Sequence, residues 1–380
     1  MKTIPYPRLL TLLIALLLVI PAYPLGGKKK KEKPPYRFTI EIEHPRTPVK
    51  NQGSSSTCWS FSTISMLESE MIRIGKPETE LSVMHVVRNT YCDKATQYVR
   101  WHGNLEFGPG GANHDVINSI RRYGIVPLSV YTGNQIGENR IIHGEMDAVL
   151  KAYADGIVKN PNRKLSPVWK TGFENLIDAY LGEIPESFEY KGTNYTPASF
   201  AASLGLNLDD YVEISSFNHH PFYETFVLEV PDNWVRGSVY NVPVEDLERI
   251  VDHTIRNGYT VAWAADLDKG FNFTLGVGVV PPDNWDGKTF KPGMEPDITQ
   301  ERRQMEFNTF QTTDDHGMHL VGIAHDQDGN KYYLEKNSWG MGNQYKGYSY
   351  ISAPYVKLKT TCIMVNKNGI PADIREKLGI

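Results

Sequence analysis

Two different periodicities, far apart in the chain, most restrict what it can fold into. In "TCWSFSTISMLESEMIRI" (57–74), apolar residues return at Phe61, Ile64, Leu67, Met71 and Ile74, the spacing of one helical face, and Ser54 to Thr57 are candidate amino-terminal caps. Near the other end, His316 opens an apolar alternating run, and Asn337 closes the next strand, "KYYLEKNSWG", after a "DQDGN" hairpin turn. The spacing predicts a helix that begins at Cys58 and two adjacent antiparallel strands that bring His316 and Asn337 together.

Cys58 then lies in the first turn of its helix. Unpaired N–H groups and the positive end of the helix dipole favour a thiolate there, which lowers a thiol pKa from about 8.5. A buried cysteine that happens to open a helix fits this stretch alone equally well. The chain has only three cysteines, at 58, 92 and 362, so a disulfide framework is excluded and an odd one is left over. Cys92 and Cys362 read as inert buried thiols, with a 92–362 disulfide as the lesser alternative. With 40% hydrophobic and 22% charged residues, 380 residues can bury a large core, as two domains or one large one. A formal net charge of -4 gives no electrostatic reason to expect nucleic acid.

A catalytic thiol needs an imidazole partner and a third group that holds the imidazole in its working tautomer. Here "NQGSSSTCWSFS" (51–62), "DHGMHLVG" (315–322) and "KNSWG" (336–340) resemble, in order, the cysteine, histidine and asparagine signatures of the papain-like cysteine peptidases. The resemblance implies a papain-like α+β fold, with a helical left domain opened by the Cys58 helix and an antiparallel β right domain bearing His316 and Asn337. It implies Cys58 as nucleophile, His316 as acid–base partner, Asn337 as its orienter and Gln52 as an oxyanion donor beside the Cys58 N–H. Trp59 follows the nucleophile directly, and Trp339 would shield the His316–Asn337 bond from water.

Two departures narrow the branch. Ser55 stands where secreted relatives carry a cysteine three residues before the nucleophile, so that disulfide is absent. His316 and Asn337 follow Cys58 by 258 and 279 residues, against roughly 130–150 in short papain-like enzymes. From Val49 to Asn368 the chain is similar instead to the bleomycin hydrolase and aminopeptidase C group. "GPGGANHDVINSIRRYGIVPLSVY" (108–131) resembles that group's glycine pair, helix and turn, and "YNVPVEDLERIVDHTIRNGYTVAWAADLDKGFNFTLGV" (240–277) its helix and strand ahead of the histidine. By that resemblance Gly110 and Gly111 line the groove and let substrate backbone approach closely, with Trp59 and Trp339 beside it. Bottom-up, "VEDLERIVDHTI" has helical periodicity and "YTVAWAADL" reads as a buried strand.

The extra residues form a large, mainly helical insertion within roughly 132–235. His219 and His220 in "SFNHHPFYE" read as a loop pair, since no carboxylate is suitably spaced for a metal site. His319 faces away from His316 on its strand and reads as packed core. Asn194 and Asn272 begin N-x-T sequons.

At the start, Lys2 and Arg8 precede twelve residues, Leu9 to Ile20, with only Thr11 polar, and then the helix-breaking "PAYPLGG". Residues 1–27 read as a secretory signal or an uncleaved anchor. This predicts a secreted, periplasmic or membrane-anchored protein. Residues 28–43, with Lys28 to Lys31 and Lys33, read as a solvated linker, and 44–380 as the peptidase domain.

The expected function is peptide-bond hydrolysis through a thioester, with no metal or organic cofactor. An aminopeptidase of the bleomycin hydrolase type is favoured. The alternatives are an open-groove endopeptidase, a catalytically silent binding protein and a thiol acyltransferase or transglutaminase. The partners are peptides, with a hexameric ring implied by the resemblance alone. In that group the carboxyl terminus reaches into the cleft; here "ADIREKLGI" (372–380) reads as a short charged helix of limited reach.

Overall fold

The computed structural model describes residues 36–137, 140–162, 164–282, 285, 292–293 and 295–380. The predicted signal or anchor (1–27) and the lysine run of the linker lie outside the described residues.

The helices are α1 (Cys58–Arg73), α2 (Val83–Arg100), α3 (Asn113–Tyr123), α4 (Gly144–Val158), α5 (Val168–Leu181), α6 (Pro197–Ser203), α7 (Val244–Arg256), α8 (Gln300–Asn308), α9 (Ala353–Lys359) and α10 (Ala372–Leu378). The strands are β1 (Thr39–Glu43), β2 (Phe188–Tyr190), β3 (Thr193–Tyr195), β4 (Tyr211–Ser215), β5 (Thr225–Val227), β6 (Ser238–Asn241), β7 (Val261–Ala265), β8 (Phe271–Asn272), β9 (Val277–Gly278), β10 (His316–His325), β11 (Lys331–Lys336), β12 (Tyr348–Ser352) and β13 (Thr360–Asn366).

The main sheet runs β5-β6-β4-β13-β7-β10-β11-β12-β9-β8. Its pairings are antiparallel except β4–β6 and β9–β12. β10 is its axis. The first half of β10 pairs with β7, from His316↔Ala265 to Leu320↔Val261, and its second half pairs with β1. Its other edge pairs with β11 around the "DQDGN" turn. Nine of its ten residues are buried, as expected for a strand covered on both faces.

Two apolar cores flank the cleft. One is helical and gathers Phe61, Leu67, Val86, Ile120, Leu150, Phe173 and Phe200 from α1 to α6. The other packs α7, α9 and α10 onto the sheet around Trp263, Leu320 and Ile363. α7 shows why its residues form a helix: Leu247, Ile250, Val251 and Ile255 are buried on one face, each contributing about 1.5–3 kcal/mol. Glu245 and Asp246 in its first turn, with His253 and Arg256 in its last, complement the dipole.

Three boundaries differ from expectation. The linker predicted to run to residue 43 ends sooner, because Thr39–Glu43 joins the sheet as β1. Its "TIEIE" residues are mostly exposed, which hid it as a strand. The insertion predicted as mainly helical holds α4, α5 and α6, but its last part also supplies β4 and β5 to the main sheet. The last residues do not enter the cleft. Ile374 and Leu378 of α10 pack into the core beside α7, Asp373 pairs with Arg249, and Lys377 bonds Tyr223.

Candidate active site

α1 begins at Cys58, as the periodicity predicts, but Thr57 caps it without a side-chain hydrogen bond. The helix is covered on nearly every side, which its many serines and threonines permit by bonding locally: Ser62 and Thr63 donate to the Trp59 carbonyl. Gly317 brings β10 against its first turn. A Cβ at Gly317 would fall 2.9 Å from Ser62 Oγ and 3.1 Å from the Cys58 carbonyl carbon, so a side chain there would push the His316 strand away from the thiol.

Cys58 and His316 line one cavity. His316 Nε2 lies 3.0 Å from Asn337 Oδ1, and the same oxygen accepts from Ser338 N–H at 2.8 Å. Because that oxygen is an acceptor, Nε2 carries the proton and Nδ1 keeps the basic lone pair. Trp339 stacks on the His316 ring at 4.5 Å, and Phe273 packs edge-on against Trp339. Gln52 is held by Ser338, whose Oγ donates to Gln52 Oε1 at 2.6 Å while Gln52 N–H donates to the Ser338 carbonyl. Its Nε2 donates to no described residue.

A buried polar network ties together the three elements that carry these side chains. Lys336 Nζ on β11 donates to Ser65 Oγ of α1 and to Thr47 Oγ1, and Ser65 Oγ bonds His319 Nδ1 of β10. Thr47 in turn donates to Glu68, which also takes the Lys50 ammonium and the Leu81 N–H. Burial holds Lys336 down at about 7. His319 is therefore buried core, as expected, with a hydrogen bond that the strand alternation did not reveal.

The electrostatics differ from the sequence expectation. Burial, helped by the carboxylates of Asp232 and Asp315 and opposed by the N–H groups of Gly317 and Trp59, pushes the Cys58 thiol up to about 11. Burial also holds His316 down at about 4, partly offset by Asn337. Desolvation of the anion thus outweighs the helix dipole. The pair shares one proton between these limits, so the rate at which an uncharged thiol-directed epoxide inactivates the free enzyme is expected to hold a plateau, falling on the acid side near pH 4 as His316 takes a second proton. Second-order inactivation rates across pH check this; an acid limb above pH 6 contradicts it.

Gly111 lines the cavity beside Trp59, whose Nε1 donates to the Pro109 carbonyl. Gly110 does not face open groove as expected: a Cβ there would fall 2.0 Å from Asp232 Oδ1. Asp232 sits on the β5–β6 connection. That connection is braced by Asn233, which donates to the Leu228 and Gly237 carbonyls, and by Trp234, whose Nε1 donates to Asp115. Sequence reasoning missed Asp232, Asp314, Asp315, Glu213 and His114, all of which line the cavity. Only "DD" beside the histidine signature hinted at them.

Cys92 and Cys362 are free and buried, so the alternative disulfide is not formed. His219 and His220 do meet a carboxylate: Glu229 accepts from both, at 3.1 and 2.7 Å, brought over from nine residues or more away. Asn194 is exposed on β3, and Asn272 is half-buried on β8.

A thiol at a helix start and an imidazole fixed by an asparagine, at the seam of a helical half and an antiparallel sheet, make a cysteine peptidase of papain-like fold. Residues 39–161 match the papain family of cysteine proteases, and residues 175–379 match the Peptidase C1-like family. The chain belongs to the Peptidase C1-like family. It is 25% identical over 381 residues to aminopeptidase C of Streptococcus thermophilus, covering 88% of this chain and 84% of that one. It is 23% identical over 387 residues to human bleomycin hydrolase, covering 89% and 84%. Among solved structures, PepW of Lactobacillus rhamnosis aligns with TM-score 0.71 at 20% identity, over 90% of this chain and 84% of the other.

Proposed function

We propose that the protein is a cysteine aminopeptidase that hydrolyses peptides from a free amino terminus. Cys58 gives its proton to His316 Nδ1 as the sulfur attacks the scissile carbonyl carbon. Gln52 Nε2 and the Cys58 N–H, one of the unpaired amides of the first helical turn, donate to the oxyanion. His316 then gives the proton to the leaving amine as the C–N bond breaks. Water, losing its proton to His316, hydrolyses the thioester and restores the thiol. Asn337 keeps the imidazole in this tautomer throughout, and Trp339 covers their bond.

The observation that carries the aminopeptidase reading is the seating of Asp232 against Gly110. The resemblance makes Gly110 and Gly111 the lining along which residues upstream of the scissile bond run, and the chain's own β5–β6 connection packs against that glycine pair. The resemblance tied this closure to the carboxyl terminus; residues 372–380 lie on α7 instead. Names borne by relatives, aminopeptidases C, G and W and bleomycin hydrolase, support the same reading. The apolar run Leu9–Ile20 supports an exported or anchored enzyme.

Two peptides of one sequence, with free and acetylated amino termini, test the mode of cleavage. Hydrolysis of the free peptide is expected to exceed that of the acetylated one at least about 100-fold, since an acyl group would have to displace a braced loop. Equal internal cleavage of both would establish an endopeptidase.

A further inference from the structure

We infer that Asp232, backed by Asp314, is the counter-ion that anchors the free α-ammonium of a peptide substrate. In this role Asp232 deepens the aminopeptidase reading and rests on it: the loop closes the groove by its bulk, and its carboxylate then selects what docks against it.

Position comes first. Asp232 is part of the same cavity wall as Cys58, and its backbone N–H donates to Asp314 Oδ2 at 2.9 Å, which holds the two side by side. The loop is fixed by Asn233 and Trp234, and by Arg236 stacked over Trp101 at 4.3 Å. A rigid loop presents its charge at a constant place, which is what a subsite that measures the end of a peptide requires.

Charge comes second. Among the described residues that line the cavity, Asp232, Asp314, Asp315 and Glu213 are acidic and none is lysine or arginine. Glu213 is already matched by His114 Nδ1 at 2.6 Å; burial acts downward on His114, but this carboxylate outweighs it and holds the ring up at about 9. Lys94 is the nearby cation. Its ammonium is committed beneath the groove to the carbonyls of Gly108 and Gly110. The Asp232 carboxylate accepts no hydrogen bond from the described residues. Burial, and after it the Asp314 carboxylate, push Asp232 up to about 7, with Lys94 opposing and Asp115 and Glu106 adding. Asp232 is thus left without a cation of its own in the cavity wall.

A peptide α-ammonium carries three N–H donors and is charged below about pH 8.

The ammonium would also act on the chemistry. Asp232 and Asp315 oppose formation of the Cys58 thiolate, so a cation seated on Asp232 removes part of the field that holds the thiol protonated. A free amino terminus would both place the substrate and ready the nucleophile.

The test compares three peptides of one sequence, with a free amine, a desamino terminus that keeps the shape without the charge, and an acetylated terminus. Rates are normalised to active sites titrated with a thiol-directed epoxide. The parent is expected to reject the desamino peptide at least about tenfold in kcat/KM. Asp232→Asn is expected to erase most of that ratio, chiefly by raising KM for the free peptide, whereas Asp232→Glu keeps part of it. A parent that rejects the acetylated peptide yet accepts the desamino one would overturn the ammonium site and leave the aminopeptidase reading standing. A parent that cleaves all three alike would remove both. An Asp232→Asn enzyme that titrates fully and discriminates as the parent does would also overturn the site. If Asp232→Asn does not fold, Asp314→Asn is read by the same ratio, and unchanged discrimination there counts equally against it.

Discussion

Replacing Cys58 with alanine is expected to lower peptide hydrolysis by roughly 10,000-fold or more while the protein stays folded. The loss is large because attack, thioester formation and proton transfer to His316 form one unit, and removing the nucleophile of such a unit leaves only positioning and the oxyanion donors. The fold should tolerate the change. Cys58 is half-buried at the start of α1, its sulfur makes no disulfide, and alanine is a good helix former. Stability within about 1 kcal/mol of the parent is expected. Peptide hydrolysis followed by mass spectrometry, with denaturant unfolding of the same preparation, checks both halves; more than trace turnover would remove Cys58 from the mechanism.

Arg303→Met is expected to produce the largest loss of stability, about 3–5 kcal/mol. Arg303 on α8 is fully buried, yet no carboxylate of a described residue meets it. Its Nε donates to the Ser216 carbonyl at 2.7 Å, Nη1 to those of Lys357 and Leu358 at 2.8 and 3.2 Å, and Nη2 to that of Thr360. The guanidinium also lies over the Phe217 ring. It is a rivet: four carbonyls from the ends of β4 and α9 and the start of β13 converge on one planar group. Burial holds the guanidinium down at about 9, and of the carbonyls around it that of Ser216 also takes Gln300 Nε2, at 3.3 Å. Methionine would fill the volume and take the guanidinium donors from all four carbonyls, at about 1–3 kcal/mol for each one left unpaired, before relaxation. Lysine could reach only part of the set from a single point, so Arg303→Lys should fall between. The urea midpoint, read with an unchanged slope, measures the loss. Because β13 carries Thr361 and Cys362 of the cavity wall, a weakened Arg303 variant should also lose activity before it unfolds globally.

What the sequence determined by itself was local, or repeated at a fixed period. The 3.6-residue return of apolar side chains along 58–74 and 244–255 set α1 and α7, since a helix must bury one face. The "DQDGN" turn between apolar runs set the β10–β11 hairpin and with it the approach of His316 to Asn337, whose 3.0 Å bond follows from strand pairing. Buried Cys92, Cys362 and His319 were legible from their apolar surroundings. Tertiary structure alone decided the charge of the cleft and what packs against its glycine pair. Asp232 meets Gly110, 122 residues earlier, and Asp314, 82 residues later, and no local pattern encodes a contact of that separation. It also decided the thiol's protonation, because a helix start announces a dipole in sequence but the desolvation that outweighs it depends on everything packed around the sulfur. The docking of α10 on α7 belongs to the same class: "ADIREKLGI" reads as a short charged helix, while the face that receives Ile374 and Leu378 exists only once α7 has packed onto the sheet.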